Sequence, residues 1–508
     1  MNFRDLLFAE TNFTRTTNMA VTHRTSTSAV LDLYSQGGAT RKWDKTKVEN
    51  LVDKAIAENA SLAVLTVFYL ADVRGGQGER RFFEVAINYL ARIKPRIVKA
   101  VLPLLAEYGR WDVMYSLVGT QLETNAFDVI KEQLALDIES KTPSLLGKWL
   151  KSENASSEQT KVYGKLTRIA LGMTAKGYRK MLTDLRNKIG IVETFITQGN
   201  YDKIDYSKIS SQAAMKYITA YFKNDESRYK QYLDSLKKGD KNVKMNTKTL
   251  YPYDLINIFD SANANKIEVA DIAWDNLPNY FEGTDSEKKS ILPMIDVSGS
   301  MYGKPLQMAT GLGMYFAERC RGPFKDSFLT FSFKPTMQKL SGTTASKRYH
   351  NLCRADWTMN TNIEAAIMLI LDTAVKSRLP QSDLPNSLLI ISDMQFDECT
   401  NSRSYMGHSP HYGGRLPHLT KTLFQEMKQR FLDEGYQMPT VVFWNVDAHE
   451  NQSPVEANEF GTVLVSGASP SAIGYVLGRD LPTPYAVMID TLKSERYVPV
   501  TRALEKVL

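Results

Sequence analysis

Three oxygen-bearing side chains recur at alternate positions in ILPMIDVSGSMYGKP: Asp296, Ser298 and Ser300. They follow an apolar run and precede a glycine-containing turn that leads into a helical pattern. A second apolar run, LLIISD, ends on Asp393. Between the two, WTMNTNIEAAIMLIL puts Thr361 just ahead of another amphipathic stretch. Asp, Ser and Thr oxygens are hard ligands, suited to a Mg²⁺ ion that takes few protein groups and keeps several waters. Two or three direct oxygens leave a coordination position open, which an outside carboxylate or phosphate could complete. No nucleophile paired with a general base stands beside these groups, so the expectation is binding and no enzymatic activity. The motifs GxxxxGK[ST], HExxH and GxSxG do not occur. Nothing therefore marks the chain as an ATPase, metalloprotease or hydrolase. His408, His411 and His418 share a loop without helical context or a carboxylate partner, and no zinc site is expected there.

The elements that must position these residues fall into two textures. From 291 onward, short and almost wholly apolar runs (291–295, 327–333, 387–391, 440–446, 462–465) alternate with amphipathic ones (305–320, 362–377, 419–434, 471–477). That alternation predicts a buried parallel sheet covered on both faces, a doubly wound α/β domain over 291–508. Such sheets bind ligands at the carboxyl ends of their strands, where Asp296 and Asp393 fall. Residues 45–259 instead read as helix after helix. In KVENLVDKAIAE, for example, Val48, Leu51, Val52 and Ile56 make one apolar stripe. Paired helices with short connections suggest a repeat array, although no fixed period is evident. Residues 1–44 are Thr-rich and predicted to be an irregular arm that wraps another part of the fold. Residues 260–290, with 3 basic and 7 acidic residues, read as a linker.

The 508 residues are 43% hydrophobic and 23% charged, which excludes disordered and fibrous classes. Three cysteines without a CxxC pair cannot make a disulfide framework, and no apolar run is long enough to span a bilayer. A cytoplasmic protein is expected. The net charge of +7 is uneven: residues 151–250 hold 20 basic and 10 acidic residues, whereas 291–508 hold 21 of each. A basic belt confined to one region is the electrostatic footprint of a phosphate-backbone partner, with a solvated Lys-rich surface as the alternative. The densest set is Lys148, Lys151, Lys161, Lys165, Arg168, Lys176, Arg179, Lys180 and Arg186. Lys161, Lys165 and Arg168 share one helical face. Arg74, Arg80 and Arg81 flank a helix break where backbone N–H groups could hold phosphate, and Arg110 opens a further helix.

Asp296-x-Ser298-x-Ser300, with Thr361 and then Asp393 downstream, resembles the metal-ion-dependent adhesion site of von Willebrand factor A domains over about 291–490. The resemblance implies Mg²⁺ held by Asp296, Ser298, Ser300, Thr361 and Asp393, some through water. One departure is Met359-Asn360 ahead of Thr361, where many such domains have glycine. A helical array followed by such a domain looks like the Ro autoantigen class, the TROVE-domain RNA-binding proteins with HEAT-like repeats. The phrases RGGQGER (74–80), YGRWD (108–112), KWLKSENAS (148–156) and YRKML (178–182) resemble more closely an uncharacterised relative with the same layout, reported in phages, fungi and plants.

The Ro-like resemblance implies a ribonucleoprotein whose partners are small non-coding or misfolded RNAs, with an acidic protein ligand or an internal acid at the Mg²⁺ site. A protein-interaction adaptor, partnering an AAA+ ATPase by family analogy, is the competing expectation. A nuclease using the Mg²⁺ is the third.

Overall fold

Every residue of Ile291–Ile295 (β3), Ser387–Ser392 (β6) and Thr462–Ser466 (β8) is buried, as a strand covered on both faces must be. These strands belong to a computed structural model that describes residues 12–282, 290–330, 335–354, 362–396, 423–476 and 482–508. With Ser327–Thr330 (β4), Met337–Lys339 (β5) and Thr440–Asn445 (β7) they form one sheet in the order β5-β4-β3-β6-β7-β8. All neighbours run parallel except β5, which pairs antiparallel to β4 at the edge. The five apolar strands lie where the sequence predicts them. Strand β5, short and mostly exposed, has no apolar signal and was not expected.

Alternate side chains of the sheet feed two cores. Leu292, Met294, Leu388, Ile390, Val441 and Phe443 join one, together with helices Ile363–Ser377 and Leu423–Asp433. Ile291, Ile295, Leu389, Ile391, Val442 and Trp444 join the other, with helix Lys304–Arg319. The helical half is divided in the same way. Buried residues from Val30 to Leu185 belong to the first core, and those from Val192 to Phe281 to the second. The two textures read in the sequence are thus one packed body, with helices of the first half clasping both sides of the sheet of the second.

That arrangement corrects two expectations. The stretch 260–290 is not a free linker: Ala264–Asp275 is a helix capped by Asn263, with Val269, Ala270, Ala273 and Trp274 in the second core. Its acids meet partners distant in sequence, Asp271 accepting from Ser346 and Glu268 pairing with Lys237, which is why composition alone reads as a linker. The arm, in turn, is ordered over its described part. Phe13–Arg15 (β1) and Val21–His23 (β2) make an antiparallel hairpin, and helix Ala29–Gly37 follows under a Ser28 cap. That helix is buried on nearly every side, so it has no apolar stripe for periodicity to detect. Among the described residues no helix is long and apolar enough to cross a membrane.

His23 fastens the hairpin. Its backbone exchanges both hydrogen bonds with Ser453 (3.0 and 2.9 Å), and its buried ring accepts at Nδ1 from Asn12 Nδ2 at 3.3 Å and lies 3.6 Å from Glu456. Burial lowers its pKa more than the Glu456 and Glu459 carboxylates raise it. The fold therefore favours the neutral ring. Docking is fully present above the free-histidine value near 6.5 and is lost as pH falls through the depressed one. Amide exchange over 12–25, corrected for its intrinsic pH dependence, is expected to accelerate between pH 7.5 and 5.5 and to lose that acceleration in His23→Gln. Equal protection at both pH values would contradict it.

Candidate functional site

Parallel register brings the acids together. Ile295 pairs with Ile391, so the next residues, Asp296 and Ser392, emerge side by side, and the Asp296 N–H still donates to the Ile391 carbonyl (3.0 Å). The buried Asp296 carboxylate accepts from the Ser298 N–H through Oδ1 (2.9 Å) and from the Ser392 hydroxyl through Oδ2 (2.5 Å). Ser298 and Ser300 hydroxyls lie 3.1 Å apart. Buried Met301 anchors the turn below them, and Gly303 at φ +88° swings the chain into helix Lys304–Arg319, with Pro305 in its first turn. Asp393, also buried, accepts from the Gln395 N–H through Oδ1 (3.1 Å). Two buried carboxylates thus sit beside each other. Burial first, then the neighbouring Asp393, pushes the Asp296 pKa up to about 6.

The donor chemistry fits a divalent cation. Asp393 Oδ2 is buried and faces His449 Nε2 at 3.1 Å, an ion pair in which the contact with Asp393 raises the imidazole's pKa against the burial that lowers it. Among the described residues no three His, Cys, Asp or Glu side chains converge, so hydroxyls and water would fill the remaining positions. The structure brings Asp296, Ser298, Ser300 and Asp393 to one strand-end rim. Thr361 lies outside the described residues, as do His408, His411 and His418; the helix after Thr361 begins at Ile363 under an Asn362 cap.

Sequence reasoning missed how much of the rim comes from the first half. Thr16 Oγ1 donates to the Phe396 carbonyl (2.7 Å), the Thr17 N–H to Gln395 Oε1 (2.8 Å), and Asn18 Nδ2 to the Gln395 carbonyl (2.8 Å). These bonds hold the loop that carries Asp393. Lys42 pairs with Asp447, and Trp43 Nε1 donates to the Ala448 carbonyl (2.7 Å), holding the loop that carries His449. His449 had a weak signal, a few residues beyond the apolar strand TVVFWN. The arm contacts had none, because they are purely tertiary.

The basic set divides sharply. Arg110 makes a two-pronged pair with Asp112 and lies over Trp149 at 3.8 Å. Lys148 pairs with Glu193, Lys151 with Asp112, Lys161 with Glu158 and Arg168 with Glu153. Arg186 donates to the carbonyls of Gly147 and Leu150 and to Ser152. Arg74 pairs with Glu107, Arg81 donates to the Trp43 carbonyl (2.6 Å), and Arg80 sits beside Arg110 and Asp112 with its pKa lowered, chiefly by burial. Lys165, Lys176, Arg179 and Lys180 differ: each is exposed and makes no ion pair within the described residues. Lys165 projects from helix Glu158–Ala170, and the other three share one face of helix Ala175–Ile189, capped by Thr174. The expected shared face of Lys161, Lys165 and Arg168 is thus two-thirds committed to internal acids.

The RGGQGER loop turns out to be a joint. Gln77, fully buried, takes the Ser469 N–H on Oε1 (3.1 Å) and donates to the Tyr69 hydroxyl (2.8 Å). A Cβ on Gly76 would lie 1.8 Å from the Tyr69 carbonyl oxygen, so only glycine fits. Phosphate capture by this break is not what its geometry serves.

Residues 290–483 match the model of a domain of unknown function, DUF7788, and residues 16–111 and 144–280 match that of a second, DUF2828. Both families lack an assigned function. Uncharacterised protein L728 of Acanthamoeba polyphaga mimivirus is 27% identical, over 96% of this chain and 89% of its own. The crystal structure of the Deinococcus radiodurans Ro (RSR) protein aligns with TM-score 0.45 at 12% identity, over 92% of this chain and 99% of that one. The two domain matches meet near residue 290, where the acid-bearing sheet begins.

Proposed function

We propose that the protein binds RNA non-enzymatically through the outer face of helices Glu158–Ala170 and Ala175–Ile189, and holds a divalent cation at the Asp296–Asp393 rim. The carrying observation is the set Lys165, Lys176, Arg179 and Lys180, four exposed cations that make no ion pair among the described residues, in a region (151–250) twice as basic as acidic. Neighbouring cations that no acid neutralises attract a phosphate backbone and release its counterions. The sequence resemblance to Ro-type proteins supports a small structured or single-stranded RNA as the ligand. The sheet order with its antiparallel edge and the Asp-x-Ser-x-Ser turn at a strand end support a von Willebrand factor A reading of the second half. Ser298 and Ser300 turn their hydroxyls toward each other at 3.1 Å and line the rim as oxygen donors, which supports a binding role.

RNA co-purifying with the protein at moderate salt, once sequenced, is expected to form a defined set. The quadruple change Lys165→Glu, Lys176→Glu, Arg179→Glu and Lys180→Glu is expected to deplete that set while the far-UV spectrum stays unchanged. Undiminished recovery would sink the proposal.

A second reading, the protein-interaction adaptor, draws on apolar exposure. Val162 (53% exposed) and Ile169 (56%) flank Lys165 on one helix, and Tyr302 (87%) stands two residues beyond Ser300. Isolated large apolar side chains beside charged ones suit a protein partner at the cation rim. Mg²⁺-dependent capture of a protein, an AAA+ ATPase for instance, from nuclease-treated extract and lost in Asp296→Ala would favour it.

A further inference from the structure

Two helices of the second half end in an open, acidic groove. Ile363–Ser377 and Leu423–Asp433 pack side by side on one face of the sheet and leave a volume of about 270 Å³ between their last turns. Leu371 and Val375 make its apolar floor, and Asp372, Asp433 and Glu434 stand exposed on its rim. None of these three acids makes an ion pair among the described residues. Arg430, on the same rim, is engaged by Glu364 (2.9 Å) and Glu426 (3.0 Å), which leaves Lys376 as the groove's other cation. Asp433 and Glu434 close their helix, where the partial negative charge of a C-terminus opposes an acid and favours an incoming cation. Helices of a parallel sheet run back against the strands, so the groove lies at the opposite edge of the domain from Asp296 and Asp393.

We infer that this groove receives helix Glu158–Ala170 of a second copy of the chain. Glu158, Val162, Lys165 and Ile169 are exposed at helical spacing and form one stripe, with the two aliphatic side chains on either side of the lysine. Aliphatic anchors around a cation are what an apolar floor with an acidic rim accepts when a helix lies in a groove. The charges agree over a longer range as well. The helix belongs to the region 151–250, with 20 basic and 10 acidic residues, so the two surfaces attract before they touch. Within one copy the stripe is exposed and its opposite face, with Gly164 and Thr167 buried, is already packed, so the contact forms between copies. The groove is smaller than the roughly 300–1,000 Å³ of small-molecule pockets and suits side-chain knobs better than a cofactor. Two unlike surfaces make a heterologous contact, which propagates head to tail and does not stop at a dimer. A contact of this size is weak and sensitive to salt. The inference rests on neither the RNA nor the cation reading, although it shares Lys165 with the first.

Sedimentation velocity of the full-length, nuclease-treated protein across the micromolar range, in low and in high salt, tests this. Two double variants separate the surfaces: Val162→Asp with Ile169→Asp on the helix, and Asp372→Lys with Asp433→Lys on the groove. All four side chains are exposed, and far-UV circular dichroism verifies that both variants fold. Wild type is expected to form species larger than a dimer in low salt and to dissociate in high salt. Each variant alone is expected to associate at least about tenfold more weakly. Mixed in equal amounts, the two are expected to form a one-to-one dimer and nothing larger, because one intact helix and one intact groove remain between them. A wild type that stays monomeric, association that survives the groove change, or folded variants that form no dimer on mixing would overturn the inference. RNA recovery is expected to be unchanged in the groove variant, so the failure of either reading shows independently of the other.

Discussion

Asp72→Ala is expected to lower the unfolding free energy by about 3–5 kcal/mol, the range for stripping one partner from a buried ion pair. The carboxylate has no solvent exposure and closes the joint between the halves. It takes two bonds from Arg496 (2.7 and 3.0 Å) and the N–H groups of Arg74 (3.1 Å) and Gly75 (3.2 Å). Arg496, stacked over Tyr108 at 4.5 Å, would keep only the exposed Glu107 at 2.9 Å, and the Asp72 carboxylate that chiefly raises its pKa would be gone. The contrasting change is Arg74→Ala, which removes an exposed pair with Glu107 and is expected to cost about 0–1 kcal/mol. Urea titration of both variants checks the pair. Similar midpoints for the two would show that the RGGQGER loop is not the joint described.

Asp296→Asn is expected to reverse its rank against wild type according to whether a divalent cation is present. Burial and the Asp393 charge make the ionised Asp296 unfavourable in the fold, with its pKa near 6 against an ordinary value of 3.8. For an acid whose folded pKa is raised, this penalty is absent below the unfolded value and complete above the folded one. At pH 7.5 without metal it amounts to about 3 kcal/mol, which the neutral amide relieves. In chelator the variant should therefore melt at or above wild type. A divalent cation at a hundred times its Kd stabilises wild type by about 2.7 kcal/mol and does little for the amide. Melting curves with and without Mg²⁺ or Mn²⁺ decide it. A variant that is less stable in chelator, or that gains as much from metal as wild type, would contradict the reading of the rim.

What the sequence could reveal follows from which forces leave a local trace. The strands carrying Asp296 and Asp393 are legible because doubly covered strands must be apolar throughout, and a strand end followed by a helix start is the place for exposed oxygens. Helices Lys45–Glu58 and Ala175–Ile189 are legible because each keeps one polar face under a cap, at Asp44 and Thr174, and Ala60–Ala71 because its apolar run is long and starts at the Asn59 cap. Helix Ala29–Gly37 leaves no periodic trace because it is buried on nearly all sides, and β5 leaves none because it is an exposed edge. The linker reading of 260–290 counted acids, of which Asp271 in fact holds Ser346, and overlooked Val269, Ala270, Ala273 and Trp274 at core spacing. The basic belt was visible as composition, but its division into committed and free cations depends on acids distant in sequence, such as Glu193 for Lys148. His449 is the same case: only the fold sets it against Asp393.

Salt dependence of RNA affinity tests the central claim most directly. With the co-purifying RNA, log K against log salt concentration should fall linearly, at about 0.7 per backbone phosphate neutralised for a single strand. Replacing Lys165, Lys176, Arg179 and Lys180 together by alanine is predicted to weaken binding and to make the slope shallower by about 2–3. Unchanged affinity and an unchanged slope in the quadruple variant would show that the RNA, if bound, is held elsewhere, and would contradict the account.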